Sequence, residues 1–145
     1  MKSYSITKLK ETLVKLGLKS KDNVLLVPEL FRLGKLDGVY KSEEYYLTIL
    51  DTILKIIGSN GTVFVNTYTF DRSRLNKNFI NETSVSTAGA FSNYFLKKSI
   101  IRSNHPLFSV SGFGKNAKVV CANNSTHNFG YLSPYYKMMN IKTKI

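Results

Sequence analysis

The chain has 145 residues, 43% hydrophobic and 21% charged. That is the size and balance of one folded domain, and it excludes a disordered, collagenous or coiled-coil chain. The net charge of +12 is unevenly spread: residues 42–96 are close to neutral, whereas residues 97–145 carry eight basic side chains and no acidic one. No apolar run approaches the ~20 residues of a membrane helix, and the N-terminus lacks the apolar core of a secretory signal. A single cysteine, Cys121, cannot form an internal disulfide, so the sequence reads as cytosolic. The basic balance raises a nucleic-acid or phosphate surface. Only four of the 21 basic residues are arginine, the usual reader of base edges, which argues against nucleic acid.

Ile6, Leu9, Leu13 and Leu16 recur at helical spacing, and Gly17 sits where a C-cap belongs, which predicts a first helix over about 5–16. Residues 19–22 form a turn. The continuously apolar run 23–27 predicts a strand covered on both faces, ended by Pro28. Residues 29–34 predict a short helical turn, and 36–41 a loop. Ser42, Glu43 and Glu44 read as a helix start, and Leu47, Leu50, Ile53, Leu54 and Ile57 form one apolar stripe before Gly58. Residues 62–68 predict the second strand and 71–85 a long polar loop. A helix follows from Ser86 or Thr87 through Lys98. The run 107–113 alternates like a strand, and 114–122 reads as a short helix. Ser133-Pro134 predicts a cap and first helical position, leading into Tyr135–Met139. Residues 141–145 look like a strand beginning.

Helix and strand alternate throughout. The expected fold class is α/β, a layered sheet of parallel or mixed strands with helices on both faces, incomplete at the C-terminus. Ligands in such sheets bind beyond the carboxyl ends of the strands. Attention therefore falls on the segments after Val27, after Val65 and around 103–109.

Those segments carry a series of motifs in fixed order. They are Asp22-Asn-Val-Leu-Leu-Val27, Leu30-Phe-Arg-Leu-Gly34, Gly58-Ser-Asn-Gly-Thr62, Asn66-Thr-Tyr-Thr69, Ala88-Gly-Ala-Phe91, Arg102-Ser-Asn-His-Pro-Leu-Phe-Ser109 and Phe129-Gly-Tyr-Leu-Ser-Pro134. Together they resemble the aminoglycoside 3-N-acetyltransferases, or antibiotic N-acetyltransferases. The Arg-Ser-x-His-Pro-x-x-Ser block is the most specific. The resemblance covers about residues 5–145 and only the first half of the family's pattern, so the whole chain is expected to be one domain, 1–145, equivalent to the N-terminal part of such a domain. The second-half Thr-x-x-His-x-x-Glu motif, whose His and Glu are implicated in activating the amine, has no counterpart here: His127 is not followed by a glutamate, and no acid occurs after Glu82. The turn after the first strand also departs, reading Val27-Pro-Glu-Leu30 where the family has His-Ser-Ser-Leu or a Ser-Asp variant. Pro28 removes an N–H donor there, and Glu29 brings a negative charge.

The resemblance implies acetyl transfer from acetyl-coenzyme A to an amine of an aminoglycoside or related amino sugar, with antibiotic resistance as an associated trait. The alternatives are a silent fragment that needs a second half, or a small basic binding protein. By resemblance, the coenzyme side comprises Leu30, Gly34, Ser103, His105 and Ser109, with Ser103 and Ser109 against the pantetheine arm and His105 near the thioester. Tyr68 and Asp71 form a wall of the amine cleft, with Asp71 attracting a cationic substrate. No metal site is expected. From the residues alone, His105-Pro106 is a turn, the serines are backbone-bonding hydroxyls, Tyr68 and Asp71 are a buried tyrosine and a turn aspartate, and Cys121, Tyr135 and Tyr136 are packing residues. No residue is assigned as the base. Unpaired strand edge and apolar faces favour self-association.

Overall fold

The structure is a computed structural model and describes residues 3–145. Each strand that reads as continuously apolar is buried between two layers of helix. Strand β2 (Asn23–Leu26) sends Val24 to one face and Leu25 to the other, and β4 (Thr62–Asn66) sends Val63 and Val65 one way and Phe64 the other. On the first face lie α1 (Ile6–Lys15), α2 (Ser42–Ile57) and α4 (Ala90–Leu96). On the second lie α5 (Ala117–Cys121) and α6 (Pro134–Asn140), which bring Val120, Cys121 and Met138 against Leu25, Phe64 and Val110. Helix α2 supplies the most core: Ile49, Leu50, Ile53 and Ile57 are each at most 5% exposed. At ~1.5–3 kcal/mol per buried aliphatic side chain, this one stripe contributes gross burial of order 6–12 kcal/mol.

The main sheet runs β2-β4-β6-β5, with β5 at Ile101–Arg102 and β6 at Val110–Gly114. Strands β2 and β4 are parallel, and β6 is antiparallel to both β4 and β5, so the sheet is mixed as expected. A second, two-stranded parallel sheet joins β1 (Ser3–Tyr4) to β3 (Lys35–Leu36), where the sequence predicts only loop at 36–41. Two residues of strand leave no periodic signal to read. At the far edge, Lys144 makes a single parallel bridge to Val24: its carbonyl accepts from Leu25 N–H at 2.7 Å and its N–H donates to the Asn23 carbonyl at 2.8 Å. The strand expected at 141–145 is thus one bridge long.

The strand expected to reach 68 ends at Asn66, and the helix expected from 114 begins at Ala117; four further differences each have a local reason. Ser42 does not cap α2; Lys41 occupies the cap position without a side-chain bond, and Ser42 is the first helical residue. The helix expected from 86 or 87 begins at Ala90. The Asn93 amide clamps Ser86 instead, accepting from its N–H at 2.7 Å and donating to its carbonyl at 2.8 Å, and Gly89 takes φ +118° to enter the helix. The predicted loop 71–85 opens with a helix, α3 (Phe70–Arg74). Strand β6 starts at 110 rather than 107 because the Leu107 and Phe108 N–H groups bond the His105 ring and cannot enter a ladder. The Ser133 cap and Pro134 start of α6 are as the sequence predicts: Ser133 Oγ accepts from Tyr136 N–H at 3.1 Å.

Candidate functional site

The register aligns three chain segments at one edge of the sheet. Leu26 pairs with Val65, and Asn66 pairs with Val110. The carboxyl ends of β2 and β4 and the entry to β6 therefore share that edge, and the loops at 27–34, 67–71 and 103–109 all leave from it. This is the position where parallel strands present ligand sites.

Tyr68, His105 and Ser109 come together there through Phe108 and Thr67. The Phe108 ring lies 5.4 Å from Tyr68 and 5.9 Å from His105, and the Ser109 hydroxyl donates to the Thr67 carbonyl at 2.6 Å. Phe70, Phe129 and Tyr135 extend the cluster, with ring centroids 5.0–5.4 Å from their neighbours. The contacts are edge-on or tilted, as ring quadrupoles prefer. Phe70 and Phe129 remain 46% and 62% exposed, so the cluster faces solvent on one side.

Each hydroxyl and ring at this edge has a definite bonding role. Ser103 and Ser109 are 0% exposed. The Ser103 oxygen accepts from Val110 N–H at 2.9 Å, and Ser109 also accepts from Arg102 Nε at 3.0 Å. Both hydroxyls expected to touch the pantetheine arm make bonds inside the protein, where they tie the 103–109 loop to the sheet. His105, 6% exposed, accepts at Nδ1 from Leu107 and Phe108 N–H at 3.1 and 3.0 Å. That fixes the ring and leaves Nε2 to carry the proton of the neutral form. Asp71 stands in the first turn of α3, and its buried Oδ1 has no hydrogen-bond partner, as does the buried Nε of the adjacent Arg72. A buried carboxylate oxygen without a donor is a costly arrangement.

Leu30 and Gly34 lie beyond the end of β2, on a 3₁₀ turn at Leu30–Arg32 and its exit. Tyr45 Oη bonds both of their carbonyls, at 3.4 and 3.3 Å. Leu30 lines two depressions. One is an apolar groove of about 500 Å³ shared with Leu13, Val27, Pro28 and Leu33. The other, about 320 Å³, includes Gly34, Lys35, Lys41 and Ser42. The Glu29 carboxylate is paired with Arg32 Nε at 2.6 Å, so its charge is locally met.

Sequence reasoning missed Arg102. It is 7% exposed and donates to Ser109 Oγ at 3.0 Å, to the Thr67 carbonyl at 2.7 Å, and to the Asn81 and Ser84 carbonyls at 3.2 and 2.5 Å. Its guanidinium lies 4.9 Å from the Phe79 ring centroid. Burial lowers its pKa to about 10, with the Arg72 charge adding to the effect, so it stays charged at neutral pH. It staples the 79–85 segment to the site edge. The available signal was its rarity, one of four arginines among 21 basic residues, set beside two buried serines.

The aminoglycoside 3-N-acetyltransferase family model matches residues 32–145. The chain belongs to that family. Solved structures share the fold. AAC(3)-IVa as apoenzyme superposes with a TM-score of 0.81 at 18% identity, over 99% of this chain and 54% of that one. AAC-VIa bound to sisomicin gives 0.80 at 18%, over 98% and 58%. AAC-IIIb in a binary complex with CoASH gives 0.79 at 19%, over 96% and 57%. The chain thus spans little more than half the length of these structures. No curated protein matches it. Among the described residues, no helix is long and apolar enough to cross a membrane.

Proposed function

We propose that this chain forms the coenzyme side and one substrate wall of a site that transfers acetyl from acetyl-coenzyme A to an amine of an aminoglycoside or related amino sugar. The observation that carries this reading, beside the family match, is the aromatic sheet edge at Tyr68 and Phe70, followed in the chain by Asp71, whose Oδ1 has no partner. A carboxylate and ring faces are the groups that recognise an ammonium-bearing sugar. The coenzyme fits the other flank. The apolar groove at Val27, Pro28 and Leu30 suits the methylenes of a pantetheine arm, and Arg32, Lys35 and Lys41 beside it suit phosphates. The net charge of +12 steers an anionic coenzyme inward, whereas a polycationic sugar needs a local acid.

Bound acetyl-coenzyme A supplies the activated acyl group. The attacking nitrogen must be deprotonated and the thioester oxygen stabilised. This chain orients the amine at Asp71 and Tyr68 and excludes water with Phe70, Phe108 and Phe129. The fixed His105 ring forms the wall next to Phe108. No residue here is assigned the base.

The test is thiol release from acetyl-coenzyme A with a panel of aminoglycosides, with mass spectrometry of the sugar and calorimetric titration of each ligand. Saturable binding of both ligands and amine-dependent release support the reading. Asp71→Asn is expected to weaken sugar binding roughly ten- to hundredfold and leave coenzyme affinity unchanged, because it removes one charge-assisted bond. Absence of binding to both ligands and of release overturns it.

A further inference from the structure

We infer that Tyr135 and Asn66 are positioning residues that fix the Tyr68 hydroxyl as a hydrogen-bond acceptor toward the substrate. The inference rests on the reading that the Tyr68 edge faces the amine.

A phenol has one proton. Tyr135 Oη donates its proton to Asn66 Oδ1 at 2.9 Å. Tyr68 Oη lies 2.6 Å from Tyr135 Oη. With the Tyr135 proton committed to Asn66, the proton between the two phenols belongs to Tyr68. The order is Tyr68 to Tyr135 to Asn66, and Tyr68 is left with lone pairs only. An ammonium or a sugar hydroxyl can donate to it; a carbonyl cannot. Burial, with the Tyr68 hydrogen bond and charge adding, holds the Tyr135 phenol above the usual tyrosine range, so its proton stays in place at neutral pH.

The scaffold holds this order. Asn66 is the last residue of β4 and pairs in register with Val110. Tyr135 is the second residue of α6, behind the Ser133 cap and Pro134, and its ring rests 5.0 Å from Phe129. The Tyr68 ring is held between Phe70 and Phe108, and its carbonyl accepts from Thr87 N–H at 2.7 Å. Residues 66 and 135 are 69 positions apart, so the relay exists only in the folded chain. It gives Tyr68 the same polarity as the unpartnered Asp71 oxygen three residues on: both are acceptors. The edge therefore selects donors, which is the chemistry of protonated amino sugars and excludes ligands that present only carbonyl or carboxylate groups.

The experiment has a ligand-free arm and a binding arm, both on the whole chain. In the first, tyrosine labelled with ¹³C at Cζ is studied by NMR in H₂O and D₂O. The wild type is expected to give exchange-protected phenol protons at Tyr68 and Tyr135, with Tyr68 protection lost in Tyr135→Phe. A Tyr68 proton that exchanges freely in the wild type overturns the hydrogen-bond order. In the second, sisomicin and coenzyme A are titrated by calorimetry into wild type, Tyr135→Phe, Asn66→Leu and Asn66→Asp. Tyr135→Phe and Asn66→Leu are expected to weaken sisomicin roughly three- to tenfold, the span of one hydrogen bond, with coenzyme A unchanged. Asn66→Asp keeps the acceptor and should restore most of the sisomicin affinity. Unchanged sisomicin affinity in Tyr135→Phe overturns the positioning role even if the bond order stands. If wild type binds no aminoglycoside at all, the proposed function fails and the positioning role fails with it, while the NMR arm still decides the bond order alone.

Discussion

Replacing Arg102 by leucine isolates what one buried charge does for the site. The leucine cannot donate, so the Asn81 and Ser84 carbonyls lose the Arg102 bonds, at 3.2 and 2.5 Å, that are their only ones among the described residues. The Thr67 carbonyl keeps the Ser109 hydroxyl at 2.6 Å and suffers less. Ser84 is 3% exposed, so its carbonyl cannot turn to water without moving the loop. An unsatisfied buried acceptor costs ~1–3 kcal/mol, and the Phe79 contact adds ~1 kcal/mol. Relief of the guanidinium's own desolvation offsets part of this. The net expectation is ~3 kcal/mol, a large share of a ~5–15 kcal/mol stability, or about 10 °C in Tm for a chain of this length. Arg102→Lys keeps a charge but not the planar fork, and should lose about half as much. Urea unfolding followed by circular dichroism gives the stabilities, and limited trypsin digestion reads the loop, since Arg72, Arg74 and Lys77 lie just before the stapled segment. Faster cleavage at 72–77 should accompany the loss. A leucine variant within ~0.5 kcal/mol of wild type, with unchanged cleavage, would refute the staple.

Gly114 pairs with Thr62 at φ +116°, and a Cβ there would collide with the Gly61 carbonyl oxygen, so Gly114→Ala should cost ~2–4 kcal/mol, read as a fall in Tm. Burial raises the Asp22 pKa, but the Lys144 hydrogen bond at 2.6 Å, the Lys19 N–H and both lysine charges outweigh it and bring the pKa below 3.8. An acid with a depressed folded pKa stabilises above its unfolded value and loses that contribution as pH falls through the folded one, so Asp22→Asn should flatten the pH dependence of stability below about pH 4 in acid titrations. Burial pushes the Cys121 thiol up to about 12, so native protein should react with Ellman's reagent at neutral pH only on unfolding; a rapid native reaction would contradict its burial.

The amino-acid sequence determined the layers. Continuous apolar runs at 23–26 and 62–66 require cover on both faces, and the 3.6-residue stripe of α2 supplies it, so alternation alone places the helices. The motif order carried the family. Periodicity could not set the direction of β6, since an antiparallel strand has the same alternation as a parallel one; the register with β4 decided it. Nor could it assign the polar groups at the site. Ser103 and Ser109 read equally well as ligand contacts or as braces, and it is the fold that brings the Val110 N–H to the first and Arg102 and the Thr67 carbonyl to the second, while His105 is held by its near neighbours Leu107 and Phe108. Tyr135 read as packing because its partners, Asn66 and Tyr68, lie more than sixty residues away. Hydrogen bonds of short range act over a few ångströms, and local sequence holds no record of which distant donors and acceptors the chain will bring within that distance.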